Sequence, residues 1–140
     1  YHKGTYNKAI SDYTKALEIN PKYADVYYNR GLVYHKNKEY NLAISDYTEA
    51  IEINPKFTPA HRRRADIYYN KYEYDKAISD YTKAIEVNST SCDLYFKRGL
   101  SYYKMQEYDK AWEDVNKAKS MGYQVPTGFF EMLCDVTGKE

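Results

Sequence analysis

The string AISDYT occurs three times, at residues 9–14, 43–48 and 77–82, with starts 34 residues apart. A degraded copy, AWEDVN at residues 111–116, follows after the same interval. Identity at a fixed period marks stacked supersecondary units, none of which can bury its apolar face alone. Whatever one unit folds into, the next must fold into as well. Other residues keep the step: Ala16, Ala50, Ala84 and Ala118; Tyr6, Tyr40, Tyr74 and Tyr108; Tyr34, Tyr68 and Tyr102; Gly31, Ala65 and Gly99; Pro21 and Pro55.

Each unit reads as two helices. In residues 24–57, Tyr27, Arg30, Gly31 and Tyr34 fall at i, i+3, i+4 and i+7, one helical stripe over about 25–36. Ala43, Tyr47, Ala50 and Ile51 repeat that spacing over about 40–53. Asn37-Lys38-Glu39 lacks apolar residues and suits a turn, and Asn54-Pro55 stops the second helix, because proline pushes the preceding residue out of the α region. Gly31 and Ala43 let two antiparallel helices approach closely, and Ala50 makes room for the next unit.

With Ala24, Thr58 and Cys92 as first residues, the units hold Gly or Ala at position 8 and Ala at 20 and 27. Tyrosines recur at positions 4, 11, 17 and 24, and proline at 32. Over nearly the whole chain this pattern resembles the tetratricopeptide repeat. Pentatricopeptide RNA binders, which lack the alanine pattern, fit less well. The resemblance implies an all-α, right-handed superhelical solenoid of antiparallel helix pairs, with eight helices in a single domain over 1–140. Its parts would be the second helix of a truncated repeat at 1–23, repeats at 24–57, 58–91 and 92–125, and a C-terminal capping helix at 126–140. Departures from the family pattern are His61 and Arg62 in a first helix, Ser89 for proline and Val115 for tyrosine.

The ends follow from the register. The chain opens on Tyr1 without an initiator methionine and reads as a fragment. Phe129, Met132, Leu133 and Val136 occupy positions 4, 7, 8 and 11 of a last first helix, with Thr127 as its expected N-cap. Two orphan helices could also complete each other between molecules, residues 6–13 of one chain against 129–136 of the next. Such a head-to-tail contact is heterologous and builds a ring or a filament.

Composition narrows the function. The 21 basic and 20 acidic side chains leave a net charge of +1, which argues against a dedicated nucleic-acid binder. Arg62-Arg63-Arg64 is the one basic triplet, and consecutive helical residues about 100° apart make no flat patch. No apolar run reaches the ~20 residues of a membrane span. Two cysteines, Cys92 and Cys134, and three histidines support neither a disulfide scaffold nor a metal site, and unpaired thiols fit the cytoplasm. His2, His35 and His61 stand in unrelated positions with no nucleophile in step, and six scattered glycines form no phosphate loop. The expectation is a non-enzymatic chain without cofactors. One glycosylation sequon, Asn88-Ser89-Thr90, falls in an inter-unit turn.

Two residue sets stand out. Arg30, Arg64 and Arg98 recur at position 7, and Asp12, Asp46, Asp80 and Asp114 at position 23, which suggests an ion-pair ladder of bidentate contacts. The second set follows from the resemblance, which implies a concave groove lined by positions 2, 5, 6, 9, 12 and 13 of the first helices. Here Arg62, Arg63 and Lys97 would meet carboxylates and Asn29 a peptide backbone, while Tyr28, Tyr69, Tyr103 and Phe96 would supply contact area. Three first helices ~9–10 Å apart span roughly 30 Å. At ~3.3 Å per residue that holds about nine residues of extended chain. The partner implied is a protein or peptide, acidic or carrying a free C-terminus. One subfamily clamps the free C-terminus of a heat-shock chaperone; only Asn29 and Arg63 match that clamp, and Pro59 stands in place of its lysine.

Overall fold

The computed structural model describes residues 3–140, so Tyr1 and His2 lie outside the described residues. Among those described, every regular element is a helix: α1 (Lys3–Ile19), α2 (Ala24–Lys36), α3 (Tyr40–Ile53), α4 (Thr58–Asn70), α5 (Tyr74–Val87), α6 (Cys92–Lys104), α7 (Tyr108–Ser120) and α8 (Thr127–Thr137). Helices α2/α3, α4/α5 and α6/α7 form the three pairs, and each element packs on the next in chain order. The result is an all-α repeat solenoid.

The two kinds of turn have separate causes. Within each pair the first helix ends in a left-handed residue, Lys38 (φ 63°), Tyr72 (φ 63°) or Gln106 (φ 62°). The following amide then reaches back to a helix carbonyl: Glu39 to Tyr34 at 2.9 Å, Glu73 to Tyr68 at 2.9 Å, Glu107 to Tyr102 at 3.0 Å. This is the Schellman closure, a site that favours glycine. Between pairs an asparagine shapes the link. Its side-chain oxygen accepts the backbone N–H two residues on, for Asn20 from Lys22 (3.1 Å), Asn54 from Lys56 (3.2 Å) and Asn88 from Thr90 (3.3 Å).

Thr127 is not the cap of α8. It is the helix's first residue, and the Pro126 carbonyl instead accepts the amides of Phe129 and Phe130, both at 3.1 Å.

Small residues set the spacing within a pair. A Cβ on Gly31 would sit 2.7 Å from Tyr47 Cε1, and one on Gly99 2.8 Å from Val115 Cγ2. Ala43, Ala50, Ala60, Ala65, Ala77, Ala84, Ala111 and Ala118 are wholly buried, so each is a close approach that a larger side chain would break. Tyr47 and Tyr81 fill the space the small residues leave. At the last helix this logic changes. Leu133 occupies the place of Gly31, Ala65 and Gly99, is fully buried, and packs with Phe129 and Phe130 against α6 and α7. A helix laid on α8 as α3 lies on α2 would meet a leucine where the close approach needs glycine or alanine.

Candidate functional site

The repeated arginines and aspartates meet in every pair. Arg30 Nε and Nη2 donate to Asp46 at 2.8 and 2.7 Å; Arg64 does the same to Asp80 at 2.7 and 2.8 Å, and Arg98 to Asp114 at 2.6 and 2.7 Å. The remaining guanidinium nitrogen reaches backward. Arg30 Nη1 donates to Thr14 (3.0 Å), Arg64 to Thr48 (2.8 Å) and Arg98 to Thr82 (3.1 Å). One arginine thus joins both helices of its own pair to the preceding second helix. The sequence reading missed the threonines, although each ends an AISDYT string and so carried the signal. Asp12 is exposed on α1 and, among the described residues, makes no ion pair with an arginine.

The middle rung differs. His61, 4% exposed, places Nδ1 3.2 Å from Asp80 Oδ1, and its Nε2 donates to the Pro55 carbonyl at 2.9 Å. Burial pushes the Asp80 carboxyl up, but hydrogen bonds from Arg64 and His61 outweigh it and hold the pKa below the usual carboxylate value.

Most of the groove charges are already matched. Arg62 pairs with Asp93 at 2.8 Å, and Lys97 with Asp66 at 2.9 Å and Asp93 at 3.9 Å. Asp66 Oδ1 also accepts the Tyr81 hydroxyl at 2.7 Å. Arg63 is the exception. Among the described residues it has no carboxylate partner, and its guanidinium pKa is raised chiefly by a hydrogen bond to Tyr28. It borders two hollows: one of about 350 Å³ with His35, Asp66, Tyr69, Asn70 and Lys97, and one of about 290 Å³ with Tyr28, Pro59, Arg62 and Leu94. Burial, then Arg63 itself, lowers the pKa of His35 and favours the neutral ring. Asp66 and Asp93 hold the basic side chains in place, a role that the groove register alone did not reveal.

The aromatic candidates separate. Tyr69 lines the larger hollow and rests edge-on against Tyr74, centroids 5.3 Å apart. Tyr28 borders the smaller one while packing on Tyr47 (5.8 Å) and Phe57 (5.2 Å). Phe96 is displaced from the expected surface: 9% exposed, it stacks on Tyr123 at 4.5 Å because the link to α8 folds over it. Tyr103 is half-covered in the same way, against Phe129 at 5.3 Å and with its hydroxyl 3.5 Å from Met132 Sδ. Asn29 is partly buried on α2.

Among the described residues, no cluster of His, Cys, Asp and Glu could hold a metal ion, and both cysteines are unpaired. Among the described residues no helix is long and apolar enough to cross a membrane.

Helix pairs stapled by a recurrent ion pair, with charged side chains around the hollows beside Arg63, define a helical-repeat interaction module. The TPR repeat profile matches residues 1–38 and 65–106, and the tetratricopeptide repeat profile matches 24–57. The chain belongs to the tetratricopeptide repeat family, a family of protein-interaction repeats that are generally non-enzymatic. No curated protein matches the sequence. Among solved structures, MamA superposes with a TM-score of 0.84 at 26% identity, covering 97% of this chain and 81% of that one. The TPR domain of Arabidopsis OM64 gives 0.72 at 25% identity, covering 80% and 94%. The first TPR of Spaghetti (RPAP3), bound to the HSP90 peptide SRMEEVD, gives 0.75 over 83% and 94%, and at 22% identity the likeness is one of fold.

Proposed function

We propose that the groove binds an extended segment of a partner protein and takes an acidic side chain of that segment at Arg63. One observation carries the reading: Arg63 borders two hollows and, among the described residues, makes no ion pair with a carboxylate, while its neighbours Arg62 and Lys97 are each paired. An exposed guanidinium beside an open hollow can take a carboxylate, which it holds with two parallel hydrogen bonds. Tyr69, Tyr28 and the chain of Leu94 supply apolar contact beside it. The peptide-bound neighbour of the same fold supports a peptide as the class of ligand.

Fluorescence anisotropy on labelled nine-residue peptides tests this. Acidic peptides should bind and their Gln/Asn counterparts should not. Arg63→Glu should weaken the acidic peptides by at least about tenfold, the equivalent of ~1.4 kcal/mol. Equal binding of both peptide sets, or an indifferent Arg63→Glu variant, would refute the reading. Amidating the C-terminus separates the two partner classes: a loss on amidation assigns the contact to a free C-terminus rather than to an acidic side chain.

A further inference from the structure

Position 12 of the first helices carries a ring in every unit: His35, Tyr69 and Tyr103. Each ring packs on the tyrosine that opens the second helix of its pair. The centroids lie 5.6 Å apart for His35 and Tyr40, 5.3 Å for Tyr69 and Tyr74, and 5.5 Å for Tyr103 and Tyr108. Packing therefore asks only for an aromatic ring here, and tyrosine supplies it in the other two units. A histidine adds something the packing does not use, a nitrogen that takes up a proton in the physiological range. Among the described residues no protein group hydrogen-bonds to the His35 ring, which is partly buried and lines the same hollow as Arg63.

The titratable and charged groups around that hollow come from several helices. Arg63, Asp66 and Tyr69 stand on α4, Tyr81 on α5 and Lys97 on α6, while Tyr40 on α3 meets the ring of His35 edge-on. Asp66 is already engaged by Lys97 at 2.9 Å and by the Tyr81 hydroxyl at 2.7 Å. Arg63 makes no ion pair among the described residues, and its charge opposes a second cation beside it. Burial and that charge keep the free His35 ring neutral, against the pull of Asp66. A carboxylate entering the hollow reverses the balance, because it offsets Arg63 and gives an imidazolium an anion to face. We propose that His35 is a second ligand-binding residue of the groove, and that an acidic peptide docking at Arg63 takes up a proton onto His35 as it binds. The proton comes from solvent, a ring nitrogen gains the N–H, and that N–H donates to the ligand carboxylate. This rests on the acidic-ligand reading of Arg63 given above. The bound ring holds its proton more tightly than the free one. Affinity therefore rises as pH falls through the bound pKa and levels off below the free value.

The test uses the acidic peptide of the anisotropy experiment, free of histidine, and two variants. His35→Tyr installs the ring that the other units carry, and His35→Gln keeps a polar side chain without the titration. Both should melt as cooperatively as the parent chain by circular dichroism. Calorimetric titration in two buffers of different ionisation enthalpy counts the protons exchanged on binding. The parent should take up a fraction of a proton at about pH 6.5, and should bind about three- to tenfold more tightly at about pH 5.5 than at about pH 7.5. The peptide carboxylates, with ordinary pKa values of about 4, stay ionised throughout. Each variant should bind with no proton uptake and with the pH dependence lost. A parent that binds the peptide without proton uptake, or uptake that persists in both variants, overturns the role of His35 and leaves the Arg63 reading standing. A peptide that binds at neither pH overturns both.

Discussion

Position 7 of the first helices is arginine in all three pairs, and each guanidinium finds an aspartate sixteen residues on. One residue earlier, on the groove side, the chain has Asn29, Arg63 or Lys97, and each sits in a different setting. The inward face repeats because stacking identical pairs imposes the same distances at every junction. On the groove side the pairings, Arg62 with Asp93 and Lys97 with Asp66, occur at one junction, so no recurring distance forces its residues to agree. Position by position, uniformity reports architecture, and under the proposed function variation reports recognition.

The comparison is broken most sharply at the middle rung. Asp80→Ala strands both Arg64 and His61 in a buried site, and the expected loss is about 3–5 kcal/mol in urea unfolding. Asp46→Ala strands a single cation and should cost less. The depressed pKa of Asp80 sets the pH dependence. A carboxyl with a folded pKa below its unfolded value stabilises the fold above that unfolded value, near 3.8. The contribution fades as pH falls further, so Asp80→Asn should flatten the acid limb of the melting-temperature profile.

The next effect is steric. Gly31→Ala drives a methyl to 2.7 Å from the Tyr47 ring, and the expected cost is about 1–3 kcal/mol. The middle pair already accommodates Ala65 at this position, so Ala65→Gly should not bring a matching gain. Smaller still is the contrast between two buried phenols. Tyr81 donates to Asp66, whereas the Tyr47 hydroxyl is buried with no hydrogen-bond partner among the described residues, because Leu32 stands where Asp66 stands in the next unit. Tyr81→Phe should therefore cost about 1 kcal/mol and Tyr47→Phe close to nothing, measured by the same urea curves.

Helix boundaries, pairing and the ladder positions were legible because each is set by a distance that recurs every 34 residues. The groove was legible as a register but not as a surface. Whether Phe96 faces solvent depends on where the link through Tyr123 folds, and that link occurs once. Likewise, Arg62 and Lys97 look available in sequence, yet Asp93 and Asp66 hold them across the α4–α6 junction. The spacing of the helices decides such pairings, and no local pattern announces them. The cap of α8 illustrates the same limit, since the Pro126 carbonyl does the work assigned to Thr127.

Arg63 and Arg64 are adjacent in the chain and point about 100° apart around one helix, so a single paired experiment reaches the centre of the account. Thermal melting and acidic-peptide anisotropy would be measured on Arg63→Glu and Arg64→Ala side by side. The expected result is a clean division: Arg63→Glu keeps the parent melting temperature and loses the peptide, while the folded population of Arg64→Ala melts several degrees lower and still binds. An Arg63→Glu chain that melts early and still binds, or an Arg64→Ala chain that melts like the parent, would contradict the separation of a stacking face from a recognition face.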